Sequence, residues 1–265
     1  MKKYIISILL FLYLGFSAFA VFILPGLNSY LPVDIITQVL QYALVIISYL
    51  CVIVALSHEL RTLDKYNLEN LSISLLVIFG VMRINLQIPY EYIPKAIIII
   101  LCIVIVRIAI RQYKNIPKVN SHWIALGFVT CIIVIPLGYL ASLLHTYHSA
   151  LEEQYSLLNV VAQGLLYNMS FFALQEEIMF RGIFWGKLRN RGWGDKKIAL
   201  FQAFIFWGLH YQQLLTYPLF FFVIIPVDIL ILTILVYSSK KIFPAVLFHA
   251  MANTLIILVA NYFAQ

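Results

Sequence analysis

The run FFALQEEIMFRGIFWGK, Phe171 to Lys187, sets two adjacent acids, Glu176 and Glu177, and then Arg181 among apolar and aromatic residues. Ionised groups at membrane depth are costly, and they rarely stand there without a pairing or functional reason. Two other apolar runs carry polar clusters: FWGLH, Phe206 to His210, and HAMAN, His249 to Asn253. On helices, Glu177 and Arg181 face each other and pair, while Glu176, turned about 100° away, points into a different space. Phe206 and His210 share a face by the same spacing, as do His249 and Asn253. A carboxylate, two imidazoles and a carboxamide suit amide hydrolysis. A poorly hydrated glutamate fits a general base that takes a proton from water. One histidine can hold that water or carry the proton onward. A second histidine and an asparagine can donate hydrogen bonds to the oxyanion. No serine or cysteine accompanies these groups, so no acyl-enzyme is suggested.

The elements that must position these residues are membrane helices. The chain has 265 residues, 63% of them hydrophobic and 11% charged. Runs of about twenty apolar residues argue for transmembrane segments. Nine are expected: Tyr4–Leu24, Ile36–Leu56, Leu71–Ile88, Ala96–Ile110, Trp123–Leu144, Leu158–Leu188, Ile198–Thr216, Leu219–Tyr237 and Ala245–Tyr262. The first is read as a retained helix, since it is longer than a signal-peptide core of ~7–15 residues. Leu71–Ile88 is complicated by Arg83, Asn85 and Gln87, and Leu158–Leu188 is too long for one perpendicular span. Pro25, Pro89, Pro94, Pro218 and Pro244 fall at run ends. The fold class is all-α, a polytopic membrane bundle. Residues 1–157 form the amino-terminal helices and 158–265 the catalytic ones, within one integrated domain.

The net charge of +7 does not point to nucleic acid, because the basic residues sit in short loops between apolar runs. With the amino terminus inside, the inside stretches hold fifteen of the 18 Lys and Arg: Lys2, Lys3, Arg61, Lys65, Arg107, Arg111, Lys114, Lys118, Lys187, Arg189, Arg191, Lys196, Lys197, Lys240 and Lys241. The outside loops hold only Lys95, while Arg83 and Arg181 lie within runs, and the loop around Glu152 and Glu153 is purely acidic. This asymmetry predicts a cytoplasmic amino terminus and an outside carboxyl terminus. At ~1.5 Å per residue, Glu176 lies roughly 16 Å from Lys187, His210 roughly 20 Å from Lys197 and His249 roughly 12 Å from Lys241. All three fall in the inner half of the membrane, which predicts one polar cavity open to the cytoplasm.

EEIMFR, FWGLH and HAMAN match in order the EExxxR, FxxxH and HxxxN motifs of the CAAX prenyl protease and bacteriocin-processing (Abi) family, which Leu158 to Leu258 resembles. The resemblance implies an all-helical intramembrane endopeptidase. It makes Glu176 the water-activating base and His210 its partner, with His249 and Asn253 the oxyanion site and Glu177, Arg181 and Phe206 in support. Substrates implied are peptides or proteins, prenylated or not, met in the lipid bilayer. A CAAX tail is the eukaryotic case; a bacteriocin leader, signalling peptide or immunity role belongs to a bacterial plasma membrane. No cofactor is expected, with a divalent metal such as zinc left open. HExxH is missing, and one glutamate with two histidines leaves a zinc site open, although the oxyanion role explains Asn253 better.

Blander readings stand beside these. Glu177 with Arg181 reads first as a structural ion pair, and His210, His249 and Asn253 could each be interhelical hydrogen-bonding residues. Asp228, two residues after Pro226, either lines the cavity or caps backbone groups freed by the proline. His58, His122, His145 and His148 near run ends look interfacial, and the Lys187–Lys197 loop looks solvated. Cys51, Cys102 and Cys131 lack ligand or disulfide spacing and read as small lipid-facing or packing residues. Two rival functions remain: a non-catalytic immunity or scaffold protein of the same fold, and a proton-coupled transporter. Intact motifs argue against the first. Against the second stand the lack of a repeat and a polar path that stops near mid-membrane.

Overall fold

Uncharged stretches of Ile, Leu, Val and Phe can satisfy their backbone groups in apolar surroundings only by bonding within the segment, as a helix does. Every regular element among the described residues is helical. The computed structural model describes residues 4–27, 33–82, 92–133, 136 and 157–263. Lys2, Lys3, Arg83, Asn85, Gln87, Pro89, His145, His148, Glu152 and Glu153 lie outside them.

The first rod, α1, is Ile5–Ala18 continued by a π turn, Phe19–Ile23, and Leu24–Leu27. α2 is Val33–His58, and a 3-10 turn, Leu60–Tyr66, leads into α3, Asn70–Met82. α4 is Tyr92–Gln112 and α5 is Ser121–Thr130. The expected long run at 158–188 is one unbroken rod, α6. It passes through Leu157–Asn168, a π turn Met169–Ala173, Leu174–Glu177, a second π turn Ile178–Phe184 and Trp185–Asn190. At ~1.5 Å per residue it is about 50 Å long, well beyond a ~30 Å hydrocarbon core.

The expected run 198–216 is not one helix. α7, Asp195–Gly208, ends before His210, which caps the short α8, Tyr211–Thr216, with non-helical φ −93° and ψ 15°. Gly208 is a poor helix former, and the His210 ring bonds the Phe206 carbonyl at 2.8 Å instead of standing clear of the backbone. α9 is Ile225–Ser239, preceded by a π turn Phe220–Ile224, and α10 is Phe243–Phe263.

Among the described residues, four stretches are long and apolar enough to cross a membrane: Ile5–Gly26, Ile36–His58, Pro94–Asn115 and Phe220–Ser239. Asn70–Met82, Ser121–Ile133 and Phe243–Ile256 are shorter apolar helices. Large apolar side chains such as Phe11, Ile110, Leu200, Phe204 and Leu215 face outward. Such a surface suits lipid, not water. The chain is an integral membrane protein. Its main core draws Ile6, Leu10 and Tyr13 of α1 together with Ile178 and Phe180 of α6 and Val246 and Ala250 of α10. Cys51, Cys102 and Cys131 are free and buried as packing residues.

Candidate active site

α6 and α10 cross where their polar residues lie. Arg181 Nη1 donates to Glu177 Oε1 at 2.7 Å, the pair expected from their spacing, and both side chains are fully buried. The same Oε1 lies 2.9 Å from His249 Nδ1. Glu177 therefore holds His249 as well as Arg181, a link between runs that spacing within one helix could not reveal. Glu176 escapes the pair as expected: its side chain is 28% exposed, against 0% for Glu177, and its Oε2 stands 3.8 Å from His249 Nε2. The π turn that follows Glu177 belongs to a helix type found mostly as short bulges at functional sites.

Phe206 is the floor between the charged groups. Its ring lies under the Arg181 guanidinium at 4.3 Å, edges towards His249 at 6.2 Å and meets the His210 ring at 4.9 Å. His210 Nδ1 bonds the Phe206 carbonyl, so its neutral ring carries the hydrogen on Nδ1 and keeps a lone pair on Nε2. His249, with Nδ1 donating to Glu177, offers Nε2 as acceptor when neutral and as donor when charged.

Glu176, His210, His249 and Asn253 all line one cavity of about 470 Å³, with Phe206 in its wall. Every site residue expected to touch substrate is brought to this cavity, whereas Glu177 and Arg181 stand behind it. Among the described residues no group of three His, Cys, Asp or Glu side chains is arranged to hold a metal ion. Asn168 and Gly164 line the cavity too, and Asn168 Nδ2 donates to Thr254 Oγ1 of α10 at 3.0 Å.

The cavity is braced by a segment from the undistinctive half of the sequence. Asn67 has φ 54°, in the left-handed region that Asn tolerates better than most residues. From there its buried side chain donates to the Arg181 carbonyl at 2.7 Å and accepts from Arg189 Nη1 at 2.6 Å, while its own carbonyl accepts from Ile242 N–H at 3.1 Å. Two residues on, buried Glu69 accepts from Ile242 N–H at 3.2 Å and from Phe243 N–H at 2.9 Å. These are orphan donors at the start of α10, where a negative group also meets the helix dipole, and Pro244 has no N–H to offer. Sequence reading missed Asn67 and Glu69. Their only signal was a polar N-L-E triplet beside an apolar run.

The Lys187–Lys197 loop, read as merely solvated, is tied down by Asp195. Asp195 accepts from Trp185 Nε1 at 3.0 Å, from Lys240 Nζ at 2.7 Å and from Arg189. Burial works to raise its affinity for a proton, but Arg189, Lys240 and Trp185 overcome this and hold the carboxyl well below the usual range.

Residues 158–255 match the family model described as type II CAAX prenyl endopeptidase, Rce1-like. Neither the curated proteins nor the solved structures contain a match to the chain. The matched segment, less than half of the chain, holds all three motifs that meet at the cavity, and the family it resembles is one of membrane proteases.

Proposed function

We propose that this protein is an intramembrane endopeptidase that cleaves a peptide bond of a small membrane-associated or lipidated peptide or protein. Its amino terminus lies inside, nine segments cross the membrane, the one at 198–216 as the broken pair α7 and α8, and the cavity opens towards the cytoplasm, in a bacterial plasma membrane. The basic loop residues support that orientation. Glu176 takes a proton from water, and His210 Nε2 holds the same water through its free lone pair. His249, backed by Glu177, donates from Nε2 to the developing oxyanion together with Asn253. The observation that carries this reading is the split between the adjacent acids: Glu177 is buried behind His249 and Arg181, and Glu176 reaches the cavity. One acid is structural and positions a histidine, leaving the other free for chemistry. Both halves, 1–157 and 158–265, act as one domain in this proposal, since Asn67 and Glu69 brace the motif helices.

The test is cleavage of prenylated and unprenylated peptides by the purified full-length protein, with and without chelator. Glu176→Gln and His210→Ala are expected to abolish cleavage while leaving membrane insertion intact. Cleavage lost in Glu176→Gln but untouched by chelator supports water activation by the glutamate, and loss with chelator moves Glu176 and the histidines to metal ligands. Wild-type protein and Glu176→Gln acting alike in an immunity or partner-binding assay, with no cleavage by either, would leave a scaffold.

A further inference from the structure

The cavity holds a second carboxylate that the hydrolytic steps above leave unused. Asp228 lies in the first turn of α9 and lines the same cavity as Glu176, His210 and His249. Its Oδ1 is buried and has no hydrogen-bond partner among the described residues. Capping of backbone groups near Pro226 would appear as a hydrogen bond, and among the described residues none reaches this oxygen. Among the described residues no lysine or arginine lines the cavity, and Arg181 is paired with Glu177. Apolar Phe220, Ile229, Leu232 and Phe248 share the cavity wall with Asp228, beside the polar Asn168, Gln213 and His249.

Asp228 is half-buried, and leaving its inner oxygen without a partner is unfavourable; a ligand cation that supplies the missing donors relieves it. A free terminal carboxylate entering the same space would meet two acids, Glu176 and Asp228, with only the imidazoles of His210 and His249 to offset them. We propose that Asp228 is a specificity residue of the cavity, forming a subsite for a lysine or arginine side chain of the bound peptide. The surrounding aromatic and aliphatic wall takes that side chain's methylene stem and its apolar neighbours. This rests on the cavity being the peptide site of the proposed protease, but not on the chemistry of cleavage.

Binding tests it apart from turnover. Full-length Glu176→Gln protein in lipid nanodiscs is titrated with labelled apolar peptides, acetylated and amidated, that differ only in one central residue: lysine, norleucine or glutamate. The lysine peptide is expected to bind about tenfold more tightly than the norleucine peptide, as a desolvated charge-assisted hydrogen bond implies, with the glutamate peptide weakest. Asp228→Asn added to this background is expected to bring lysine and norleucine within about twofold, and to unfold no sooner than its parent, because an unpaired buried acid is removed. Equal affinities in the parent, a lysine preference that survives Asp228→Asn, or no binding of any peptide overturns the proposal. Lysine-selective binding with no cleavage by the protein bearing Glu176 would overturn the protease reading alone.

Discussion

Glu177 of α6 meets His249 of α10 at 2.9 Å through the same oxygen that accepts from Arg181 at 2.7 Å. One buried carboxylate thus fixes the rotation of a histidine on a neighbouring helix and neutralises the arginine of its own. The two jobs have separable signatures. Glu177→Gln leaves Arg181 as a buried charge without its counter-ion, which costs about 3–5 kcal/mol. Arg181→Met takes the arginine from a buried carboxylate that then keeps only His249 as partner. The double variant removes both charges, so its loss is expected to fall well short of the sum of the singles in an unfolding titration of the reconstituted protein. Additive losses would show that the two side chains do not support each other.

Phe206 touches three charged or titratable groups yet contributes no polar atom from its side chain. Leucine in its place keeps an apolar filler but removes the cation–π contact with Arg181 and the ring faces against His210 and His249. A contact of that kind is worth about 1–2 kcal/mol when desolvated. Phe206→Leu is therefore expected to fold and insert, with kcat down about tenfold and KM changed less, as imidazole orientation loosens. An unchanged kcat would demote the ring to packing. Kinetics on any cleaved peptide decide it.

The residues facing the cavity were legible because an isolated polar group in a long apolar run has few explanations. Helical spacing alone gave the Glu177–Arg181 pair. It could not give the Glu177–His249 contact, whose partners are 72 positions apart in the chain. Nor could it find Asn67 and Glu69, which look like ordinary loop residues until their buried partners on Arg181, Ile242 and Phe243 are seen. The break at His210 was hidden because its flanks, Ile198–Phe206 and Tyr211–Thr216, keep an apolar pattern across it. Gly208 and a local competition, ring nitrogen against backbone for the Phe206 carbonyl, end α7 there.

Gly186 marks where α6 and the 3-10 turn before Asn67 come closest. A Cβ there would approach Tyr66 Cα to 2.7 Å and press on the Tyr66 ring, and a backbone atom cannot swing aside as a side-chain tip can. Gly186→Ala is expected to destabilise by about 1–3 kcal/mol, the usual range for overpacking, despite alanine's better helix propensity. Gly194→Ala, with open space around its Cβ, serves as the control. Thermal unfolding of both variants in one detergent checks this, and equal midpoints would mean that Tyr66 yields.

Glu69 gives the fold a dependence on pH. Burial pushes its carboxyl up from 4.5 to about 7, against the opposing pull of hydrogen bonds from Ser72 and from the N–H groups of Ile242 and Phe243, and of the Lys241 charge. The folded protein therefore holds this proton more tightly than the unfolded chain. The stability linked to it is complete below the unfolded value of 4.5 and declines as the pH rises through about 7. Glu69→Gln cannot titrate, and it also loses one acceptor at the start of α10, a cap worth about 1 kcal/mol. The wild type is thus expected to lead Glu69→Gln in unfolding midpoint at pH ~5 and to lose that lead by pH ~8. A lead that instead grows with pH would mean that the α10 amino terminus holds Glu69 ionised and that the cap outweighs burial.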